Sequence, residues 1–487
     1  MKVLVVTSPR HAVFINTIDS SIPPLSQGID SIPLRLASVI EKEYETRFYP
    51  FSYTQYNYYT LNEEEINKIF SEDFVDVLVI SSDYFISNRT TASFDSSLQI
   101  AKLFKTVYPE SKVICCGKHC IVSPRDFFRD KKVIDLIFTS EAENRINEVI
   151  NLLSQNEFEK LQQIPNLLFI NENQQIIETE KSISVVDINQ LPSPAYHMLV
   201  KYKDILKKKE EPYSNKIPLT LRTSYGCIYK CPFCAGIPFW GNYRFLSKNS
   251  FERDLKEMQD SLNDEFELCF FDDELFTLKK EHVEDIALVM KSLDMKIYGV
   301  LTHTSLFTKE IAELLSTFSE EVIFGGENFY DEILKNINKN QTLSSLIDKC
   351  RLAREYGLKT RVEFICGLPY ETWESVLINL KTICYLLRSK TIDIISPYIL
   401  VPHPGTEYYE NASKYGIHII NKDFSEYIEE GGYPVFETDF LTSHQIYFYY
   451  LQLQEIKRVC EKVPYELHQS MGEFSFELFK KGFERMI

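Results

Sequence analysis

Apolar segments alternate with amphipathic helical segments from residue 217 to 410, and this alternation limits the possible folds more than any other feature. Parallel strands must be joined by crossover connections, and these are usually helices. Six segments have the apolar composition of buried strands: 218–224, 266–273, 296–302, 321–327, 361–367 and 393–400. The pattern predicts a partial barrel of parallel strands, with chemistry expected where strands end and loops begin.

A second strand–helix alternation occupies the first 150 residues and predicts a doubly wound parallel sheet. Its candidate strands are 2–6, 46–51, 76–81, 112–117 and 135–140, and the amphipathic segment 97–109 is a candidate helix. Ligands of such sheets bind beyond the carboxyl ends of the strands. The polar residues at those ends are Ser81, Ser82, Gly117, Lys118, His119, Ser140 and Glu141.

The chain is therefore expected to be an α/β protein with four parts. Residues 1–150 form the doubly wound domain, and residues 151–215 form a connector with a small hairpin that turns near Asn171–Asn173. Residues 216–410 form the barrel. Residues 411–487 are rich in aromatic residues and mostly helical in pattern, as in the segment 444–463.

Charge and hydropathy argue against two classes of function. The formal net charge is -17, whereas a protein that neutralises many phosphates usually carries a basic face, so we expect no nucleic-acid partner. No apolar run approaches the ~20 residues that span a bilayer. The N-terminal apolar run, residues 3–6, is too short for a signal peptide and predicts a buried first strand. We therefore expect a cytoplasmic protein without a membrane span.

Three cysteines follow the first barrel strand in the segment GCIYKCPFCAG, at the spacing C-x3-C-x2-C: Cys227, Cys231 and Cys234. A structural zinc site needs four ligands, usually from two cysteine pairs. No second pair lies near the motif, although His197 or His303 could each supply a lone ligand. The alternative is a [4Fe–4S] cluster, which normally takes four cysteines and would keep one iron open with three.

This motif, with Phe233 directly before its last cysteine, resembles that of the radical S-adenosylmethionine (SAM) superfamily. The resemblance implies that Cys227, Cys231 and Cys234 hold a [4Fe–4S] cluster whose open iron binds SAM. The reduced cluster would then cleave SAM to methionine and a 5′-deoxyadenosyl radical. Four later segments follow the superfamily's order along the barrel: 270–277, 322–342, 364–372 and 402–410.

The same resemblance implies a set of SAM contacts: Phe233, Asp273, Gly325, Gly326, Glu327 and Gly367. Glu327 would accept hydrogen bonds from both ribose hydroxyls, which a carboxylate can do, and glycines let backbone approach a ligand closely. Paired acids such as Asp272 and Asp273 often bind metal or act as acid and base, but here we expect Asp273 to face the methionine end of SAM. Ser247 is expected to cap the helix that follows.

The N-terminal region resembles the cobalamin-binding domain of cobalamin-dependent radical SAM enzymes in four segments: 22–42, 111–120, 133–143 and 164–199. Two loops depart from that family. Cys116-Gly117-Lys118-His119 stands where Gly-Gly-Pro-His is usual, and Ser140-Glu141-Ala142-Glu143 where Gly-Glu-Gly-Glu is usual. No Asp-x-His-x-x-Gly motif is present, so the resemblance implies a cobalt without a histidine lower ligand, and His119 is expected to be a loop histidine. The candidate cobalamin contacts are the seven polar residues at the strand ends.

The resulting hypothesis is a cobalamin-dependent radical SAM methylase that adds a methyl group to an unactivated carbon of a natural product or peptide. An external electron donor such as flavodoxin or ferredoxin is the expected partner. One alternative is a non-methylating radical reaction, with or without cobalamin, and another is a non-catalytic zinc module. A tRNA methylthiotransferase is less favoured, because Cys115, Cys116 and Cys120 are crowded together and the C-terminus is not basic. The sequence identifies neither the substrate nor a catalytic residue acting on it.

Overall fold

The structure is a computed structural model, and it describes residues 1–9, 28–54, 61–82, 91, 93–129, 133–183, 185–208, 215–236 and 242–462. These residues form two compact units. The first contains the described residues up to Ile228 together with the described part of Ala235–Glu274. The second contains Tyr229–Cys234 and the described residues from Leu275 onward.

The first unit contains the strands β1 to β12. Their bounds are β1 (Lys2–Thr7), β2 (Ile29–Asp30), β3 (Glu45–Tyr49), β4 (Val77–Ser82), β5 (Lys112–Gly117), β6 (Leu136–Phe138), β7 (Leu167–Ile170), β8 (Ile176–Glu178), β9 (Ile217–Leu221), β10 (Ser224–Tyr225), β11 (Arg244–Phe245) and β12 (Phe266–Phe271). Its helices are α1 (Ser31–Ile40), α2 (Phe51–Thr54), α3 (Glu63–Phe70), α4 (Phe94–Val107), α5 (Lys118–Val122), α6 (Ile146–Ser154), α7 (Phe158–Leu161), α8 (Lys203–Leu206) and α9 (Lys248–Leu262).

The N-terminal sheet of this unit has the order β3-β1-β4-β5-β6-β7-β8. Its first five strands are parallel and follow the doubly wound order in which the winding reverses beside the first strand. The reversal lies between β1 and β4, where the backbone N–H of Ser8 donates to the carbonyl of Ser81. Ligands of such sheets bind beside this reversal. The structure therefore contains the sheet edge at which the sequence predicts a ligand site.

The predicted hairpin is present as β7 and β8, which turn through Asn171–Gln175. The side chain of Asn171 accepts hydrogen bonds from the backbone N–H groups of Asn173 and Gln175, which fixes the turn. The hairpin does not stand apart as a connector element. β7 pairs antiparallel with β6, so the hairpin extends the N-terminal sheet.

The first unit also contains the start of the barrel. β9 pairs in parallel with β12 on one side and with the two-residue strand β2 on the other. The predicted strand 218–224 ends at Leu221, because Ser224 and Tyr225 leave it and pair antiparallel with β11. The cysteine motif therefore follows a strand end and a short ribbon.

The second unit contains the strands β13 (Ile297–Thr302), β14 (Ser319–Glu327), β15 (Lys359–Cys366), β16 (Ile394–Ile399), β17 (Ile417–Ile419) and β18 (Phe436–Thr438). Its helices are α10 (Lys280–Ser292), α11 (Lys309–Leu315), α12 (Asp331–Asn336), α13 (Leu343–Glu355), α14 (Trp373–Arg388), α15 (Glu407–Glu410) and α16 (Ser443–Lys462). The strands β13 to β16 pair in parallel in sequence order, with a register shift between Gly325 and Glu327. The short strands β17 and β18 form a separate antiparallel pair.

The predicted α/β class is confirmed, with a doubly wound sheet followed by the parallel strands of a partial barrel. Each of the six predicted barrel strands is present with its ends within three residues. The C-terminal region includes the predicted helix as α16, and it also contains the β17–β18 pair, which the sequence did not indicate. Residues 463–487 lie outside the described ranges. Within those ranges, no helix is both long and apolar enough to cross a membrane.

Gly117 at the end of β5 provides a test of the N-terminal sheet. Its φ is +131° and its ψ is -174°, a conformation that is essentially restricted to glycine. A Cβ atom there would lie 1.8 Å from the carbonyl oxygen of Ser82 on the neighbouring strand. We expect Gly117→Ala to lower the free energy of unfolding by about 3 kcal/mol or more, measured by urea denaturation.

The matched control is Gly357→Ala. Gly357 also has a positive φ, +77°, but a Cβ there would meet nothing within 4 Å. Gly357→Ala should therefore lower the free energy of unfolding by only about 1 kcal/mol, the cost of a left-handed backbone conformation at a residue other than glycine. Equal destabilisation by the two substitutions would contradict the close approach of β4 and β5.

Candidate functional site

The three cysteines of the motif lie on the loop after β10. The loop begins at Gly226, whose φ of +86° places it in the left-handed region. Cys227 belongs to the first unit, whereas Cys231 and Cys234 belong to the second. All three are partly exposed and none forms a disulfide. The backbone N–H of Cys234 donates to the carbonyl of Cys231, which forms a turn around Phe233.

Three thiolates suit a soft metal centre, since sulfur ligands favour iron–sulfur clusters and zinc. In the described ranges, however, no three His, Cys, Asp or Glu side chains are gathered as a metal-binding group. The loop thus offers the donor atoms that a three-cysteine cluster needs.

Asp273, directly after β12, binds the backbone that leads into the cysteine loop. Its Oδ1 accepts from the backbone N–H groups of Thr223 at 2.7 Å and Ser224 at 3.0 Å. Its Oδ2 accepts from the Thr223 hydroxyl at 2.6 Å. The carboxyl is almost fully buried, and burial raises its pKa to about 6. The residue predicted to face SAM therefore has both oxygens engaged with the protein backbone and the neighbouring hydroxyl.

The acids on either side of Asp273 bind Arg222, which is fully buried at the end of β9. Arg222 donates through Nη2 to Asp272 Oδ2 at 2.6 Å and through Nη1 to Glu274 Oε1 at 2.9 Å. The second oxygen of Glu274 accepts from the backbone N–H of Gly226 at 3.1 Å. Residues 272–274, which we call the acid clamp, thus hold residues 222–226 directly before Cys227.

Glu327, the predicted ribose ligand, lies at the end of β14 with a φ of +57°. Its carboxylate accepts from Lys339 Nζ at 2.7 Å, and both side chains are nearly buried. Gly325 and Gly326 precede it. A Cβ on Gly325 would lie 2.6 Å from both Glu327 Oε1 and Lys339 Nζ, so an alanine here would displace the ends of both side chains.

Gly367, another predicted SAM contact, begins the turn after β15 with a φ of +87°. The backbone N–H groups of Gly367 and Leu368 both donate to Glu371 Oε2, at 2.7 and 3.0 Å. The other oxygen of Glu371 accepts from Asn328 at 2.7 Å. A buried carboxylate therefore fixes this turn and ties it to the end of β14.

Glu363 lies on β15 in register with Gly325 of β14 and Ser396 of β16, so its side chain shares a face with two small residues. Its neighbours Val362 and Phe364 are fully buried on the other face. Burial, together with the nearby Glu327 carboxylate, raises the pKa of Glu363 to about 7. Glu363 is thus a carboxyl group whose protonation changes near neutral pH.

Tyr229 of the cysteine loop stacks on His303, which follows β13, with 4.3 Å between ring centroids. The imidazole Nδ1 accepts from the backbone N–H of Ser305 at 3.1 Å. Burial, with a smaller effect of Lys339, lowers the pKa of His303 to about 3, so the ring is neutral. His303 therefore supports the loop through stacking.

The candidate cobalamin contacts lie along the carboxyl edge of the N-terminal sheet. Those at the ends of β4 and β5 are buried, and those after β6 are partly exposed. The buried residues are Ser81, Ser82, Gly117, Lys118 and His119, and the partly exposed residues are Ser140 and Glu141. The structure thus brings all seven to one sheet edge, and the last two are less buried than the other five.

His119 is held within the protein. Its ring lies 4.6 Å from that of Phe94, and its Nε2 is 3.3 Å from Asp126 Oδ2. Glu141 accepts from Arg244 on β11, and Arg244 also donates to the carbonyl of Val186. Arg244 is therefore a structural link, and Ser247 caps α9 as expected by accepting from the backbone N–H of Ser250.

Several site residues were not singled out from the sequence, among them Arg222, Glu274, Lys339, Glu363 and Glu371. Arg222 carries a signal, because an arginine at the end of an apolar strand needs acidic partners if it is buried. Lys339 lies in the segment 322–342, which was singled out only because it resembles a segment of the radical SAM superfamily. Its pairing with Glu327 depends on tertiary structure.

Comparison with known proteins supports the barrel assignment. Residues 221–383 match the radical SAM superfamily, so the chain contains a radical SAM domain, which implies a [4Fe–4S] cluster and SAM. An uncharacterised methyltransferase of Pyrococcus horikoshii is 26% identical over 92% of this chain and 90% of its own length.

Two solved structures share the fold. The radical SAM methyltransferase TsrM from Kitasatospora setae, described with cobalamin and a [4Fe–4S] cluster bound, has a TM-score of 0.64 at 16% identity, covering 93% of this chain and 88% of its own. The cobalamin-dependent SAM radical enzyme OxsB has a TM-score of 0.61 at 17% identity. That match covers 94% of this chain but 61% of OxsB.

The raised pKa of Glu363 predicts a pH effect on stability. A carboxyl whose pKa rises on folding stabilises the folded state at low pH, and this stabilisation is lost as the pH rises from about 4.5 through about 7. The melting temperature of the unmodified protein, relative to that of Glu363→Gln, should therefore fall between pH 5 and pH 8. Differential scanning fluorimetry across this range measures the difference.

The control is Glu374→Gln, which changes an exposed glutamate on α14. Its melting temperature should follow that of the unmodified protein at every pH. A constant difference between the unmodified protein and Glu363→Gln from pH 5 to pH 8 would contradict the assignment.

Proposed function

Because residues 221–383 form a radical SAM domain, we propose that this protein reductively cleaves SAM to a 5′-deoxyadenosyl radical and uses it, with cobalamin, to methylate an unactivated carbon. The observation that carries the proposal is the C-x3-C-x2-C loop, which follows the first barrel strand of that domain. Three thiolates leave one iron of a cubane cluster without a protein ligand, and SAM would occupy that position.

Cys227, Cys231 and Cys234 would hold the cluster, which supplies the electron for cleavage of the sulfonium bond. The acid clamp fixes the backbone before Cys227, so that the first thiolate enters the site from a rigid strand end. Precise placement of reacting groups is a large part of catalysis, since effective molarities depend on geometry. Phe233 lies in the turn between the last two cysteines, and we propose that it packs against the bound SAM.

Glu327 would orient the ribose of SAM. Its Oε1 is engaged by Lys339, and a carboxylate retains further acceptor positions for the two hydroxyls. The turns at Gly325-Gly326 and at Gly367 would lie along the nucleoside. Asp273 remains a predicted SAM contact, but such a contact would compete with the bonds to Thr223 and Ser224, and its role through the loop is better supported.

Cobalamin would supply the methyl group for transfer. Support comes from the doubly wound sheet with its reversal between β1 and β4, and from the shared fold with TsrM and OxsB. The residues present fit a cobalamin without a histidine ligand, because His119 is fully buried against Phe94 and Asp126. Ser140 and Glu141, which are less buried than the other five candidates, would contact the cofactor's edge.

A second candidate is a radical reaction without methyl transfer. It is favoured by the fold shared with OxsB, a cobalamin-dependent SAM radical enzyme. The two candidates differ in the mass of the product, which increases by one methylene unit only on methylation. We propose a small molecule or a peptide as substrate and a flavodoxin or ferredoxin as electron donor.

The cluster assignment predicts the effect of removing each thiol. Cys227→Ala, Cys231→Ala or Cys234→Ala in anaerobically reconstituted protein should abolish 5′-deoxyadenosine formation, because an incomplete ligand set cannot hold the cluster. Liquid chromatography with mass spectrometry measures the product. Cys350→Ala, a buried cysteine on α13, is the control and should retain cleavage together with its iron and sulfide. Retained cleavage in any of the three variants would refute the proposal.

The cobalamin assignment predicts a cobalt centre without a protein histidine ligand. Protein reconstituted with cobalamin and reduced to cob(II)alamin should show an electron paramagnetic resonance spectrum without nitrogen hyperfine splitting from a protein histidine. His119→Gln should leave this spectrum unchanged, because the imidazole is enclosed by Phe94 and Asp126. Nitrogen splitting that disappears in His119→Gln would overturn the ligand assignment, and failure to retain cobalamin would overturn its role.

A further inference from the structure

The two faces of β15 lie in different environments. Val362 and Phe364 are fully buried, and the ring of Phe364 lies 6.1 Å from that of Tyr449 on α16. Because helices cover the outside of a parallel barrel, these residues mark the outer face of the strand. Glu363 lies between them in sequence, so its side chain is on the inner face, where Glu363 and Arg361 are both partly exposed.

Arg361 forms an ion pair on this inner face, two residues before Glu363. Its Nε donates to Glu321 Oε1 at 2.6 Å, and its Nη2 donates to Glu321 Oε2 at 3.1 Å. A guanidinium–carboxylate pair with two such bonds is strong and fixed in geometry. The third nitrogen, Nη1, donates to the hydroxyl of Ser396 on β16 at 3.4 Å. The positive charge of Arg361 is therefore already matched by Glu321.

The strands on either side give Glu363 different neighbours. On β14 the residue in register is Gly325, and a Cβ there would lie 2.6 Å from both Glu327 Oε1 and Lys339 Nζ. These two side chains therefore fill the position over the glycine, and they pair with each other at 2.7 Å. On β16 the residue in register is Ser396, whose side chain is small, so the space beside Glu363 lies on that side.

The Glu363 carboxyl has no partner among the described residues, which provide it with neither a hydrogen-bond donor nor an ion pair. Burial and then Glu327 raise its pKa to about 7, with a further contribution from Glu430, whereas Lys339 and Arg361 act in the opposite direction. These two cations each bind another carboxylate, so neither neutralises Glu363. A carboxyl without donors in such a position is stabilised by a ligand that brings donors and positive charge.

On the basis of the proposed function, we propose that Glu363 binds an ammonium group of the substrate, so that the enzyme acts on a compound that carries a primary amine. An ammonium group provides three N–H donors and the positive charge that the two neighbouring ion pairs do not supply. β15 ends at Cys366, three residues after Glu363, which is about 10 Å along the strand. The ammonium group therefore binds inside the barrel, and the rest of the substrate extends toward the strand end and the turn at Gly367.

The test measures the binding of small probes to protein that is reconstituted with the cluster and cobalamin and saturated with SAM, without a reductant. Two probes carry an ammonium group: n-pentylammonium represents a small amine, and acetyl-lysine methylamide represents a lysine side chain in a peptide. The neutral and anionic counterparts are pentanol and pentanoate. Titrations followed by saturation-transfer difference nuclear magnetic resonance give the affinity of each probe.

At least one ammonium probe should bind more tightly than pentanol and pentanoate. Glu363→Gln should weaken its binding about tenfold, the loss expected for one charge-assisted hydrogen bond. Glu363→Asp, which keeps the charge on a shorter side chain, should have an intermediate affinity. Glu374→Gln, at an exposed position on α14, is the control and should match the unmodified protein. Binding of the lysine derivative would assign the amine to a peptide, and binding of n-pentylammonium alone would assign it to a small molecule.

Equal affinity of the ammonium probes for the unmodified protein and for Glu363→Gln would overturn the inference. Tighter binding of pentanoate, or no binding of either ammonium probe, would also overturn it. If Glu363→Gln failed to fold, a reduced affinity in Glu363→Asp would support the inference and an unchanged affinity would refute it.

Failure of the proposed function would give a different result, because probe binding requires no cleavage of SAM. The unmodified protein would then release no 5′-deoxyadenosine, while its preference for ammonium probes would still depend on Glu363. Release of 5′-deoxyadenosine by a protein without this preference would refute the amine site alone.

Discussion

The acid clamp is the interaction on which the candidate site depends. Three consecutive acids after β12 bind the backbone and the arginine that lead into the cysteine loop. Removing one partner of a buried ion pair leaves an uncompensated charge, which costs about 3–5 kcal/mol, so Arg222, Asp272 and Glu274 form an interdependent set. The start of the loop is therefore held by two strand ends, β9 and β12, rather than by the loop's own contacts.

In the second unit, buried carboxylates likewise hold loops at the ends of strands. Glu327 is paired with Lys339, and Glu371 accepts from the backbone of the turn at Gly367. Each buried carboxylate fixes one loop at the strand carboxyl ends. Parallel barrels place their chemistry at these ends, so the carboxylates that stabilise the loops lie where a ligand of the barrel is expected.

The sequence predicted element types well and side-chain partners poorly. Strand bounds followed from apolar runs because a strand buried on both faces has to be apolar throughout. The roles of Asp272 and Asp273 were harder to predict from the sequence. A pair of acids after a strand is compatible with metal, cofactor or backbone partners, and the choice depends on which groups lie opposite. Likewise, the hairpin at 167–178 was predicted, but its addition to the edge at β6 was not, because pairing between distant segments leaves no local signal.

By itself, the sequence determined the α/β class, the order of strands and helices, and the three thiols that could hold a cluster, because these depend on local composition and spacing. The tertiary structure decided how those elements are held. It engages Asp273 with the start of the loop, buries His119 against Phe94 and brings Lys339 to Glu327 across twelve residues of chain. Such pairings depend on distances in space between buried charges, and the low polarity of the interior makes their correct partnering energetically obligatory.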